Sequence, residues 1–238
     1  METPIRPAYY ALAPGSWRDY ATVLHPPYTL WHLSFVALGA ALSPTFFFDR
    51  LAGVLLAFFL AVGIGAHALD ELKGRPLRTR IPGPVLIGAA VVSIGGAVAI
   101  GIIGGLTIDG WLLAFTAFGG FIVVAYNLEL FAGRFHTDFW FAAVWGAFPV
   151  ATGYWVNAGG FTPVAVAAAV VCFLVAAGQR VLSNTVRRLR RRPRAAQEAD
   201  GVEGVCDVKA AIATPERVLQ VLNVAVVLVA VVAIALRM

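Results

Sequence analysis

The stretch HALDELKGRPLRTRIP, His67 to Pro82, sets two acids and four cations around a Gly-Arg-Pro turn directly behind an apolar run. On a helix, His67 and Glu71 fall one turn apart on one face, Asp70 lies beside them, and Arg75 follows a turn later if the helix passes Gly74. Acids at such a helix end can hold Mg²⁺ that bridges a phosphate, with Lys73 and Arg75 completing the charge balance. A second acidic set, Asp200, Glu203 and Asp207, is spaced i, i+3, i+7, which lines three carboxylates along one helix face, and Lys209 follows. Two such clusters on one side of a membrane have the chemistry to hold a diphosphate through Mg²⁺, because hard cations take carboxylate and phosphate oxygens together. Plainer readings compete with this one. Glu-Lys and Asp-Arg pairs would tie a helix end, and the second set would neutralise the arginine run from Arg187 to Arg194, where Gly201 and Gly204 weaken a helix.

The elements that must position these residues are membrane helices. Of the 238 residues, 60% are hydrophobic and 13% charged, and the mean hydropathy is +0.81. A chain of that composition cannot hide its apolar residues in one water-soluble core. Runs near the ~20 residues needed to cross a hydrocarbon core extend from Leu30 to Phe48, Leu51 to Leu69, Gly83 to Gly105, Trp111 to Leu128, Phe139 to Val156, Thr162 to Gly178 and Val218 to Leu236. The expected architecture is therefore an all-α, polytopic bundle of about seven transmembrane helices, one integral membrane domain over residues 1–238. The runs are continuously apolar rather than alternating, which excludes a transmembrane barrel. Thr214-Pro215-Glu216 reads as an N-cap with Pro at the first helical position, starting the seventh span. Residues 1–24 show no charged start, apolar stretch and small-residue cleavage site, so no signal peptide is expected.

Orientation follows from the cations, because cytoplasmic loops hold the positive excess. With the N-terminus inside, only Arg50 and Arg237 of the 18 Lys and Arg residues fall on the outer side. The expected location is the cell membrane, with segment 1–28 and the loop 179–215 cytoplasmic and the C-terminus outside. The net charge of +5 then reflects loop topology and contact with anionic lipid, and nucleic acid is not an expected partner. Cys172 lies within a span and Cys206 in the last inner loop, so neither a disulfide nor a zinc site is expected.

Four segments carry a resemblance. HALDELKGRPL resembles a reduced form of the first motif of the UbiA superfamily of intramembrane prenyltransferases, N-D-x-x-D-x-x-x-D followed by R-P-L. DGVEGVCDVKAAIAT is similar to that family's second motif, D-x-x-D-x-x-x-D followed by a basic residue and a Thr. Ala125 to Trp155 looks like the family's fourth-to-fifth-helix segment, and LHPPYTLWHLSFVALGAAL, Leu24 to Leu42, resembles its entry helix. The resemblance implies a Mg²⁺-dependent transfer of a prenyl group from a prenyl diphosphate to a lipophilic acceptor. It implies metal-holding, catalytic carboxylates at Asp70, Glu71, Asp200, Glu203 and Asp207. It also implies substrate contacts from His67, Lys73, Arg75, Tyr126, Asn127, Arg134 and Lys209, and Arg180 at the foot of the arginine run joins them. Ala68 stands where the first motif has Asp, that motif's last Asp is missing, and seven runs stand against the family's nine.

These departures motivate an alternative, a non-catalytic relative that binds a lipid diphosphate or a partner protein. A homo- or hetero-oligomer would supply the missing helices. A small transporter is disfavoured by the near absence of charge deep within the spans. A retinal protein is disfavoured because the last span has no Lys for a Schiff base. His32 and Asn223 read as satisfied polar residues at helix interfaces.

Overall fold

The computed structural model describes residues 6–191 and 204–238. The elements in these residues are helices: α1 (Trp17–Val23), α2 (Pro26–Leu42), α3 (Phe48–Leu72), α4 (Gly83–Thr107), α5 (Leu112–Asn127), α6 (138–158), α7 (Pro163–Arg191) and α8 (Gly204–Ala235). Four of them, α3, α4, α7 and α8, are long and apolar enough to cross a membrane. Their outward faces carry Val92, Ile103, Val171, Leu174, Val221 and Leu228 exposed, a surface that water would not tolerate and lipid would. The chain is an integral membrane protein.

Every apolar run is helical, but the boundaries differ from the sequence reading for local reasons. Helix α2 begins at Pro26, ahead of the expected Leu30, because Pro26-Pro27 needs no intrahelical N–H in a first turn. It stops at Leu42 because Ser43, which precedes Pro44, is pushed to extended backbone. At 17 and 16 residues, α2 and α5 are shorter than the ordinary span. The last helix corrects a sharper expectation. Pro215 lies inside α8 and does not start it. The turns ahead of it, carrying Val208 and Ile212, are buried against Val186 of α7, and this packing holds the helix across the missing hydrogen bond.

Two helices contain wide, π-helical turns, Phe59–Ala66 in α3 and Ala143–Ala147 in α6. Each extra residue in such a turn rotates the face that follows by about 100°. The α3 segment thus decides where His67 and Asp70 point.

The central seam is α2 against α6. A methyl at Gly39 would stand 2.0 Å from the Val150 carbonyl oxygen, and one at Gly153 would stand 2.1 Å from that of Val36. Only glycine allows these backbones to approach so closely. Gly153→Ala is expected to cost about 2–3 kcal/mol, read as a lowered thermal midpoint in detergent. Gly160→Ala, with nothing within 4 Å of the added carbon, leaves the midpoint unchanged.

Candidate functional site at the polar end of the bundle

The starts of α2 and α6, the ends of α3, α5 and α7 and the first half of α8 meet at one end of the bundle. The loop that carries the Arg-Pro-Leu motif forms a roof there. Gly74, Arg75 and Arg78 all take positive φ, a conformation that residues other than glycine hold only when their surroundings enforce it. Two buried carboxylates do so. Glu71 has no exposed surface; its Oε2 accepts from the Leu77 N–H at 2.9 Å, and its Oε1 accepts from the Thr79 N–H at 2.9 Å and the Thr79 hydroxyl at 2.8 Å. Asp19 of α1 accepts from the N–H groups of Arg80 and Gly15, both at 2.9 Å. Arg75 closes the loop by donating to the Ile81 carbonyl at 2.6 Å.

Beneath the roof lies a chamber of about 80 Å³. All four histidines of the chain, His25, His32, His67 and His136, line it. Three of them direct Nδ1 to a backbone carbonyl: His32 to Trp145 at 3.0 Å, His67 to Gly63 at 3.2 Å and His136 to Tyr126 at 3.0 Å. A carbonyl only accepts, so each of these Nδ1 atoms carries the proton. His25 is different. Its Nδ1 meets the Tyr10 hydroxyl at 2.6 Å, and its ring stacks on that of His67 with centroids 4.1 Å apart. Burial first, and then the neighbouring His67, hold its imidazole well below the usual 6.5. Three buried polar atoms of the chamber walls have no partner: His25 Nε2, Tyr126 Oη and Gln179 Oε1. Buried polar groups are ordinarily satisfied, so three unpartnered atoms around one cavity call for a polar partner there.

An antechamber of about 100 Å³ adjoins it, between the N-terminal strap, the roof, α7 and α8. His25, Tyr28, Asp70, Ser183 and Arg187 line both spaces. The strap is tied down by Arg190, which donates to the Pro7 carbonyl at 2.5 Å and pairs with Glu216, and by Asn223, which donates to the Tyr9 hydroxyl at 3.3 Å. The half-buried Asp70 carboxylate lines both spaces and has no hydrogen bond or ion pair among the described residues.

Deeper in the membrane, α3, α4, α5 and α6 enclose an apolar groove of about 250 Å³. Val62 and Trp145 belong to the walls of both groove and chamber. The two spaces thus share a partition.

The residues singled out from sequence divide accordingly. His67, Asp70, Tyr126, Asn127 and Arg180 are brought together in the chamber. Arg180 is buried there over the Phe141 ring, 4.7 Å from its centroid, and pairs with Asp138 at 2.9 Å, a hydrogen bond that lowers the Asp138 carboxyl. Glu71, expected beside Asp70 as a metal ligand, is turned into the roof, where it accepts three hydrogen bonds from the loop. Lys73 faces outward, bonded to the Leu128 carbonyl at 3.1 Å and paired with Glu129 at 2.8 Å. Arg75 is committed to the loop. Arg134 and Lys209 are exposed and outside both walls. Asp200 and Glu203, and the side chain of Asp207, lie outside the described residues. Among the described residues, no group of three His, Cys, Asp or Glu side chains is placed to hold a metal ion. Sequence reasoning missed His25, His136, Gln179, Arg187 and Asp19. The usable signal was that a chain with only four histidines puts one directly before Pro26-Pro27 and another at an Asp-Glu helix end. Compared with known proteins, the chain matches no family model, no curated protein and no solved structure.

Proposed function

We propose that this protein is a UbiA-like membrane prenyltransferase, which transfers a prenyl group from a prenyl diphosphate to a lipophilic acceptor. One observation carries the reading: a polar, cation-walled chamber stands at the end of an apolar groove and shares Val62 and Trp145 with it. An amphiphile with an anionic head and a long apolar tail fits that pair of spaces. In this reading seven helices cross the cell membrane, and the polar end and N-terminus face the cytoplasm.

Arg180 and Arg187 set two guanidinium charges on the chamber, suited to phosphate oxygens. Asp70, which lines the chamber, would hold Mg²⁺, which is commonly bound by one or two carboxylates together with substrate phosphates. Asp200, Glu203 and Asp207 are the partners the second motif implies. The ion would supply charge neutralisation of the departing diphosphate. The faces of Tyr126 and Trp145, whose centroids are 5.6 Å apart at the partition, suit a developing allylic cation.

The alternative, a relative that binds a lipid diphosphate without turning it over, is favoured by the diversion of Glu71 into the roof. Diphosphate release by the protein in lipid nanodiscs separates the two. With geranylgeranyl diphosphate and a membrane-lipid extract as acceptor, release that needs Mg²⁺ and stops with chelator is the expected result. Thermal stabilisation by the diphosphate with no release would select the binding protein.

A further inference from the structure

His25 holds a position in the site that the other three histidines do not. It is the histidine that lines both chamber and antechamber. Its Nε2 is buried and unpartnered, and its Nδ1 meets a hydroxyl where the others meet carbonyls. A hydroxyl both donates and accepts, so a proton can pass through it, whereas a carbonyl ends the path. Tyr10, which supplies that hydroxyl, lines the antechamber. The backbone at His25 is left-handed, with φ 45° and ψ 57°, directly before a proline. That combination is costly for a non-glycine residue and persists where the surroundings over-determine it, which is common at functional positions.

We infer that His25 and Tyr10 form the proton-transfer pair of this site: Nε2 takes the proton the acceptor loses on prenylation, and Nδ1 passes a proton through the Tyr10 hydroxyl to the antechamber. The inference rests on the transferase reading above. In the step, the bond between C1 of the prenyl chain and the diphosphate oxygen breaks, and its electron pair leaves with the diphosphate. An electron pair of the acceptor forms the new bond to C1, and the acceptor's proton goes to Nε2. The stacked His67 ring helps confine the pair to one proton at a time, because two imidazolium rings 4.1 Å apart would repel. The other titratable and charged groups lining the two spaces are Arg6 and Tyr9 of the strap, Tyr28 and His32 of α2, Asp70 of α3, Arg78 of the roof, Tyr126 of α5, His136 ahead of α6, Arg180, Arg187 and Arg190 of α7 and Glu216 of α8. His25 is uncharged at neutral pH, as a base must be. Turnover therefore holds above the ordinary imidazole range and falls as the pH drops through the His25 ionisation below it.

The test uses the full chain in nanodiscs with Mg²⁺, geranylgeranyl diphosphate and the lipid extract. His25→Gly suits the left-handed backbone, so the variant keeps its fold, and its turnover is expected to fall about a hundredfold or more. Its KM for the diphosphate stays within about threefold of wild type. Added imidazole, refilling the space, restores turnover and moves the acid limb of the pH profile up to the ionisation of free imidazole. Tyr10→Phe, which removes the relay and keeps the base, loses about tenfold and retains the wild-type limb. A His25→Gly protein that turns over like wild type, or an acid limb that imidazole does not move, overturns the inference alone. A wild-type protein that releases no diphosphate overturns the transferase reading and this inference with it.

Discussion

Asp70→Asn is expected to lower Mg²⁺-dependent diphosphate release by about a hundredfold or more, while binding of the prenyl diphosphate is retained or tightened. The split follows from where the carboxylate sits. It lines both the chamber and the antechamber, and Arg187 borders the same two spaces. No protein group among the described residues depends on it for a hydrogen bond, so the isosteric amide leaves stability within about 0.5 kcal/mol of wild type. Removing one negative charge from a space bordered by arginines favours an anion in the ground state. The same change removes the group proposed to hold the metal that the leaving diphosphate requires. Binding measured by thermal shift and release measured under single-turnover conditions separate the two effects. Faster release in Asp70→Asn would mean that the carboxylate merely repels the substrate, and would exclude it as a metal ligand.

Glu71→Gln, one residue along, is expected to do the opposite: to destabilise the protein by about 3 kcal/mol or more and to lose activity as a consequence. The Glu71 carboxylate is fully buried and accepts three hydrogen bonds from the roof. A glutamine must turn its NH₂ toward at least one of those donors, so a buried donor meets a donor. The charge that strengthens the remaining bonds is also lost. The roof then loosens at Arg78 and Arg80, which a trypsin time course would report, and the thermal midpoint falls. Thr79→Val removes only the hydroxyl contact and is expected to cost about 1 kcal/mol. A Glu71→Gln protein with unchanged melting and trypsin resistance but altered Mg²⁺ dependence would return Glu71 to the role that its spacing implied.

This pair shows where reading the sequence reaches its limit. The acid pair behind an apolar run marked the polar end of the molecule, because charge at a lipid boundary is informative on its own. Spacing could not say which of two adjacent acids faces the chamber. Neighbours on a helix point about 100° apart, and the π-helical turns Phe59–Ala66 rotate the face that follows them. That rotation is invisible to a 3.6-residue period.

By itself, then, the sequence determined that this is a helical membrane protein and roughly where its helices run. Hydrophobicity summed over about 20 residues is a local quantity that lipid reads directly. It also singled out His67, Asp70, Tyr126, Asn127 and Arg180. Only the tertiary structure decided that they share a chamber with His25, His32 and His136, that an apolar groove continues from it, and that Glu71 and Asp19 hold the roof. Those facts depend on which side chains, distant along the chain, converge at one end of the bundle. The convergence is set by close contacts such as Gly39 against Val150 and Gly153 against Val36, and by which buried polar atoms are left without a partner once all the helices have packed.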